Sequence, residues 1–294
     1  MLPAELFRQI RMLEIRTTRA VDELIGGAYH SVFKGRGIEF EEVREYTPDD
    51  DVRDIDWNVT ARMNAPYIKK YVEERELNVM IALDVSASGV FGSGEKSKRA
   101  RAAEIAALLA FSAAGNGDKT GLLLFSDVRE LLLPPKSGRR HALRLIREML
   151  AFEPQGRGTD IVRAIEDLNR FLTKRSVVFL ISDLIGGGDY EKPLKILNKR
   201  HDVIAVRIRD LAELDWPLPA GTTVQDAETG EICEFDGSPE ARAAFRRAAE
   251  AELAEGKNVC ERAGVDLIDI AGQADPVKPL IGFFERRRRH LRGM

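Results

Sequence analysis

Two hydrophobic regimes divide this chain. From about residue 79 onward, short apolar runs alternate with segments whose apolar residues recur at helical spacing. Val79–Leu83, Thr120–Phe125, Val177–Ile181, Val203–Ile208 and Val265–Ile270 are the runs. They read as strands, and unbroken apolar character marks strands covered on both faces. Glu130–Leu133 reads as an edge strand beside the second of them. Ser97–Ala114, Arg139–Leu150, Thr159–Leu172, Tyr190–Lys199, Pro239–Gly256 and Pro276–Leu291 read as helices. The inner face is clearest in Arg139–Leu150, with Ala142, Leu145, Ile146 and Met149, and in Thr159–Leu172, with Ile161, Ala164, Ile165, Leu168 and Leu172. A hairpin is predicted around Glu228–Phe235, turning at Thr229–Gly230. Strands alternating with helices predict an α/β fold, a mainly parallel sheet with helices on both faces. The ligand site of such a sheet lies at the carboxyl ends of its strands.

The first regime differs. Residues 3–24 read as a helix with Leu6, Ile10, Leu13, Val21 and Leu24 near one face. Gly35-Arg36-Gly37 follows, then nine carboxylates between Glu39 and Asp56 against only Arg44 and Arg53, then a β-like segment over Pro66–Leu77. The predicted division is an N-terminal helix and acidic extension over 1–78 and an α/β domain over 79–294.

Composition narrows the function. The 294 residues carry 45 Lys plus Arg against 48 Asp plus Glu, a formal charge of −3. That balance leaves no whole-protein footprint for nucleic acid or anionic lipid. Two cysteines, Cys233 and Cys260, form no CxxC, and the four histidines, His30, His141, His201 and His290, are scattered. A disulfide scaffold and a Cys-rich zinc site are excluded, and a His cluster is not expected. No apolar run approaches the roughly 20 residues of a membrane span. The N-terminal stretch lacks the apolar core of a secretion signal. The expected location is the cytoplasm.

Candidate chemistry sits after the first core strand, in Leu83-Asp84-Val85-Ser86-Ala87-Ser88-Gly89. A carboxylate and two hydroxyls spaced by two leave the strand within one turn. Oxygen donors packed this closely suit a hard cation, Mg²⁺ or Mn²⁺. Thr159, in Gly158-Thr159-Asp160, and Asp183, after the strand Val177–Ile181, complete the set. Each alone is more often a structural turn or cap residue than a ligand; together, in this order and at these strand ends, they point to a metal site.

This pattern resembles the metal-ion-dependent adhesion site of von Willebrand factor A domains. The resemblance implies that Ser86 and Ser88 bind the metal through their hydroxyls and Thr159 directly or through water. Asp84 and Asp183 would act mostly through bound water. Neutral hydroxyls leave the cation poorly quenched, with one position open for a carboxylate from a partner protein.

A wider resemblance covers nearly the whole chain. Its residues are Gly35–Arg62, ERELNVMIALDVSAS, NGDKTGLLLFSD, SGRRHALRLIREML, GRGTDI, VVFLISDL, RHDVIAVRIRD and AGVDLIDI with DPVKPLIGFFERRRR. These resemble the family called domain of unknown function fifty-eight, von Willebrand A-like proteins usually encoded beside MoxR-type AAA+ ATPases. The resemblance implies a non-catalytic, metal-dependent protein-interaction adaptor. Its partners would be a MoxR-type ATPase and a client protein that offers a carboxylate to the metal. It also implies a signature of Arg44, Asp50, Asp51, Arg53, Asp56 and Trp57, for bracing the fold or docking a partner. The family is expected to carry glycine where this chain has Asp49.

The acidic stretch Glu39–Asp56 also reads as a paired-cation centre of a hydrolase or nuclease, or as a solvated surface with Arg pairs. Gly89–Ser97 looks like a phosphate-binding loop, but Glu95 stands where that loop needs lysine, so no nucleotide site is expected. No G-x-S-x-G elbow occurs. Five arginines crowd Glu285–Arg292. Four are consecutive and cover every face of a helix. They read first as a solvated end that complements the helix dipole, then as partners for acids in this chain or another protein, and last as a contact for anionic lipid or nucleic acid.

Overall fold

The computed structural model describes residues 38–47, 50–63, 65–73, 76–186, 188–216, 218–272 and 275–292. The helix predicted over 3–24, Gly35-Arg36-Gly37 and Asp49 lie outside the described residues. The extension holds β1 (Ile38–Glu45) and β2 (Tyr67–Glu73), paired antiparallel with a register shift between Phe40 and Glu42. A 3-10 turn (Val52–Asp54) and α1 (Trp57–Met63) lie between them.

The predicted alternation then follows as β3 (Asn78–Asp84), α2 (Lys98–Gly115), β4 (Lys119–Phe125), β5 (Arg129–Ser137), α3 (Arg139–Ala151), α4 (Ile161–Phe171), β6 (Val177–Ser182), α5 (Glu191–Arg200) and β7 (Asp202–Arg209). A hairpin of β8 (Thr222–Gln225) and β9 (Ile232–Phe235), then α6 (Pro239–Ala263), β10 (Asp266–Ala271) and α7 (Val277–Arg292) complete it. Six strands form one sheet in the order β10-β7-β6-β3-β4-β5, parallel except for β5, which runs antiparallel to β4.

Side-chain alternation along β3 shows why the run is apolar throughout. Val79, Ile81 and Leu83 pack with α2, α3 and α7, whereas Met80 and Ala82 pack with α4, α5 and α6. Every residue from Val79 to Leu83 is at most 1% exposed. Burial on both faces removes the polar positions that would otherwise betray a strand's period.

Four elements depart from the sequence reading. The hairpin's strands flank the Thr229–Gly230 turn at a distance, starting at Thr222. Helix α4 begins at Ile161 rather than Thr159, because Asp160 caps it by accepting from Arg163 N at 2.8 Å. Helix α6 runs to Ala263, not Gly256. Gly256 is buried there, and a Cβ would sit 3.3 Å from the Leu184 carbonyl, so the missing side chain admits a close helix–loop approach. The helix ends instead on Gly264, in the left-handed conformation at φ 69°. Strand β5 runs well past Leu133, through Pro134 and Pro135 to Ser137.

His201 ends α5 at 3% exposure, and neither ring nitrogen has a hydrogen-bond partner among the described residues. Burial, with Arg200 and Arg175 nearby, pushes its pKa down to about 4. The folded value lies below the ordinary one of about 6.5, so the unfolded chain takes up the proton first. Stability should be full above about pH 6.5 and fall by about 1–3 kcal/mol as the pH drops towards 4. Urea unfolding at pH 7 and pH 5 checks this: His201→Phe should flatten the difference, and an unchanged difference would remove His201 as its source.

Candidate metal centre

Strands β3 and β6 are parallel neighbours in register, Leu83 opposite Ile181. Their carboxyl ends therefore release Asp84 and the Ser182-Asp183 pair at the same edge. Asp84 is fixed at both oxygens: Oδ1 accepts from Ser86 N at 2.9 Å and Oδ2 from Ser182 Oγ at 2.7 Å. The first bond folds the loop back, so that the Ser86 and Ser88 hydroxyls lie 3.1 Å apart. Asp183 Oδ1 accepts from Ile185 N at 3.2 Å, and its Oδ2 accepts from Lys98 Nζ at 2.8 Å. Lys98 also donates to Glu213. Asp84, Ser86, Ser88, Ser182, Asp183 and Lys98 are among the residues around a cavity of about 20 Å³, room for about one water-sized occupant.

The electrostatics follow from burial. Desolvation, then the neighbouring Asp183, pushes Asp84 up to about 6. Burial alone would lower Lys98, but Asp183 and Glu213 outweigh it and hold the ammonium above its ordinary value. Asp183 and Glu213 thus share the Lys98 ammonium, while Asp84, bonded to Ser86 and Ser182, has no ion-pair partner among the described residues; Arg99 also lines the cavity.

The donor set fits a small hard cation. Two cis ligands at about 2.1 Å from an octahedral ion stand about 3 Å apart, and the Ser86–Ser88 spacing matches. Thr159 is placed differently from the other four predicted residues. It does not line the cavity; its Oγ1 donates to Glu228 Oε1 at 2.9 Å, in the β8–β9 turn. Its loop still abuts the first one, since Ala87 N donates to Arg157 O at 2.9 Å. Glu130 holds that loop by accepting from the Gln155 and Gly156 amides. The loop packs so closely that a Cβ on Gly156 would lie 1.9 Å from Asp127 Oδ1.

Sequence reasoning missed Lys98, Glu213 and Glu228. One local signal did exist for Lys98. It is the first residue of α2, after the Ser97 cap, where the helix dipole opposes a cation. A buried lysine there requires carboxylates from elsewhere.

The signature of the extension separates into two kinds of residue. Arg44 binds Asp50 through both nitrogens, at 2.6 and 2.9 Å, and Asp50 also accepts from Thr47 N and Oγ1. The Arg44 guanidinium and Thr47 hold Asp50 down to about 2. Asp51 caps the 3-10 turn by accepting from Arg53 N, and Asp56 caps α1 by accepting from Asn58 N at 2.9 Å. These four hold local turns of the extension. Arg53 is exposed, and Trp57 is 68% exposed. Among the described residues, no three His, Cys, Asp or Glu side chains gather as a metal cluster, in the acidic stretch or elsewhere. In the arginine run, Arg287 pairs inward with Asp202 at 2.5 Å and Asp266 at 3.2 Å, while Arg286 and Arg289 are exposed. No helix among the described residues is long and apolar enough to cross a membrane.

A six-stranded sheet of this order, with one antiparallel edge strand and a D-x-S-x-S loop at its carboxyl end, defines a von Willebrand A-like domain. The chain belongs to the family described as protein of unknown function DUF58, whose pattern matches residues 42–255. It is 32% identical over 282 residues to the uncharacterized proteins Rv1480 of Mycobacterium tuberculosis and Mb1516 of Mycobacterium bovis, covering 95% of this chain and 89% of each relative. A crystal structure of the conserved hypothetical protein BatB from Bacteroides thetaiotaomicron superposes with a TM-score of 0.50 at 17% identity, covering 72% of this chain and 99% of that one. That likeness is one of fold.

Proposed function

We propose that this protein is a non-catalytic adaptor that binds a partner through a divalent cation, Mg²⁺ or Mn²⁺, held at the carboxyl ends of β3 and β6. One observation carries the reading: two hydroxyls 3.1 Å apart stand beside two half-buried carboxylates at adjacent strand ends. Ser86 and Ser88 would ligate directly, with Asp84 and Asp183 orienting bound water and Thr159 joining once released from Glu228. When bound, the cation supplies an under-neutralised positive charge with an open position for an incoming carboxylate. Asp84 keeps the loop folded by its bond to Ser86 N, and Ser182 holds Asp84 in place. Family membership makes a MoxR-type AAA+ ATPase the first partner to test, with a client protein offering a carboxylate as the second. Trp57 and Arg53 offer a separate docking surface, since exposed Trp and Arg are the side chains that most often anchor interfaces. The acidic stretch serves this reading as a brace, because Asp50, Asp51 and Asp56 each have a local backbone or pairing task.

The test is equilibrium binding of a MoxR-type ATPase in Mg²⁺ and in EDTA. Ser86→Ala/Ser88→Ala should weaken binding at least about tenfold, the loss of one or two good ligand contacts, and EDTA should do the same to wild type. Binding indifferent to both chelator and substitution sinks the metal bridge.

A further inference from the structure

The Lys98 ammonium stands where a cation neutralising Asp183 would otherwise be needed. Its side chain is 6% exposed and that of Asp183 8%. The placement is costly twice over, because burial desolvates the ammonium and the start of α2 presents the wrong end of the helix dipole. Two carboxylates sustain it, and they differ. Asp183 belongs to the cavity. Glu213 lies on the 3-10 turn Leu211–Glu213 after β7, with 24% of its side chain exposed. That turn is itself anchored: Glu213 Oε2 accepts from Asp210 N at 2.8 Å, and Asp210 accepts from Ser93 N at 3.0 Å. The ammonium therefore has a second seat, already built, just outside the cavity.

We infer that Lys98 is a built-in competitor for the divalent cation, seated on Asp183 while the site lacks metal and drawn back to Glu213 when metal enters. This rests on the metal reading above. The chain's own residues then set how much free cation is needed before a partner carboxylate can bind. Removing the ammonium removes the competitor. Removing the Glu213 charge removes the second seat and ties Lys98 more firmly to Asp183.

The experiment is calorimetric titration of Mn²⁺ into wild type, Lys98→Gln, Glu213→Gln and the double variant, with thermal melts in EDTA and in Mn²⁺. Glutamine keeps an N–H donor for both carboxylates but carries no charge. Lys98→Gln should tighten Mn²⁺ binding roughly ten- to a hundredfold, the scale of one nearby unit charge in a partly screened site. Glu213→Gln should weaken binding several-fold, yet add nothing in the Lys98→Gln background, since it acts through the ammonium. Equal affinities for wild type and Lys98→Gln, or effects that simply add, overturn the inference while leaving the metal site standing. No Mn²⁺ binding by either protein overturns the site and the inference together. If Lys98→Gln melts early in EDTA, recovery in Mn²⁺ supports exchange of ammonium for metal. Failure to recover, in this variant and in Lys98→Met, makes Lys98 a structural ion pair and overturns the inference.

Discussion

Phe284→Ala should lower the unfolding free energy by about 4 kcal/mol, the middle of the range for a fully buried aromatic cut back to alanine. Phe284 is 0% exposed on α7 and meets two other rings: Phe179 of central strand β6 edge-on at 6.5 Å, and Phe283 at 5.3 Å. Its neighbours are strands and helices already packed on both sides, so the cavity left behind cannot collapse. At roughly 2–4 °C per kcal/mol for a chain of this size, the thermal midpoint should fall by about 8–16 °C. Differential scanning calorimetry reads this directly. A fall under about 3 °C would mean that α7 frays without loss and is not part of the cooperative core.

Asp84→Asn should move two properties in opposite directions. Asparagine can keep both existing bonds, its carbonyl accepting from Ser86 N and its amide donating to Ser182 Oγ. What disappears is one negative charge beside Asp183, whose repulsion together with desolvation pushes Asp84 up. In EDTA at pH 7 the variant should be more stable than wild type by about 1–2 kcal/mol, because like charges held close together out of water oppose folding. Mn²⁺ affinity should fall at least about a hundredfold, or about 2.7 kcal/mol. Melts in chelator and titration calorimetry check the pair. A variant that melts lower than wild type in EDTA would show that the Asp84 charge is part of what holds the loop, and the trade of stability for binding would be wrong.

What could be read in the sequence divides along lines of distance. Strands β3, β4, β6 and β7 were legible because burial on both faces leaves continuous apolar runs. Asp84, Ser86, Ser88 and Asp183 were legible because strand ends alone bring them to one cavity. Lys98 was not, since its two partners lie 85 and 115 positions away and are delivered by the ends of β6 and β7. The Thr159–Glu228 bond was hidden for a similar reason. The hairpin that carries Glu228 is seated by Trp216, which packs on Phe235 at 5.7 Å and on Phe245 of α6 at 5.0 Å. No local pattern encodes that seating. Gly256 misled for the opposite reason: glycine costs a helix about 1 kcal/mol relative to alanine, but here close approach to the Leu184 loop requires it.

The two prolines of β5 have a consequence beyond secondary structure. Pro134 and Pro135 together face Gly121 of β4, where the pairing slips between Thr120–Lys136 and Leu122–Leu133. A side chain on Gly121 would sit 2.8 Å from Met80 Sδ of β3 and 3.0 Å from Leu133 O of β5, so β4 lies against both neighbours there with no room to spare. β5 is the last strand of the sheet on that side. An outermost strand with regular spacing invites another chain to add on and propagate. Two residues without N–H groups, set in a bulge, deny an incoming chain donors at that point and a straight template. That edge of the sheet is thereby guarded against fibre-like growth at the bulge.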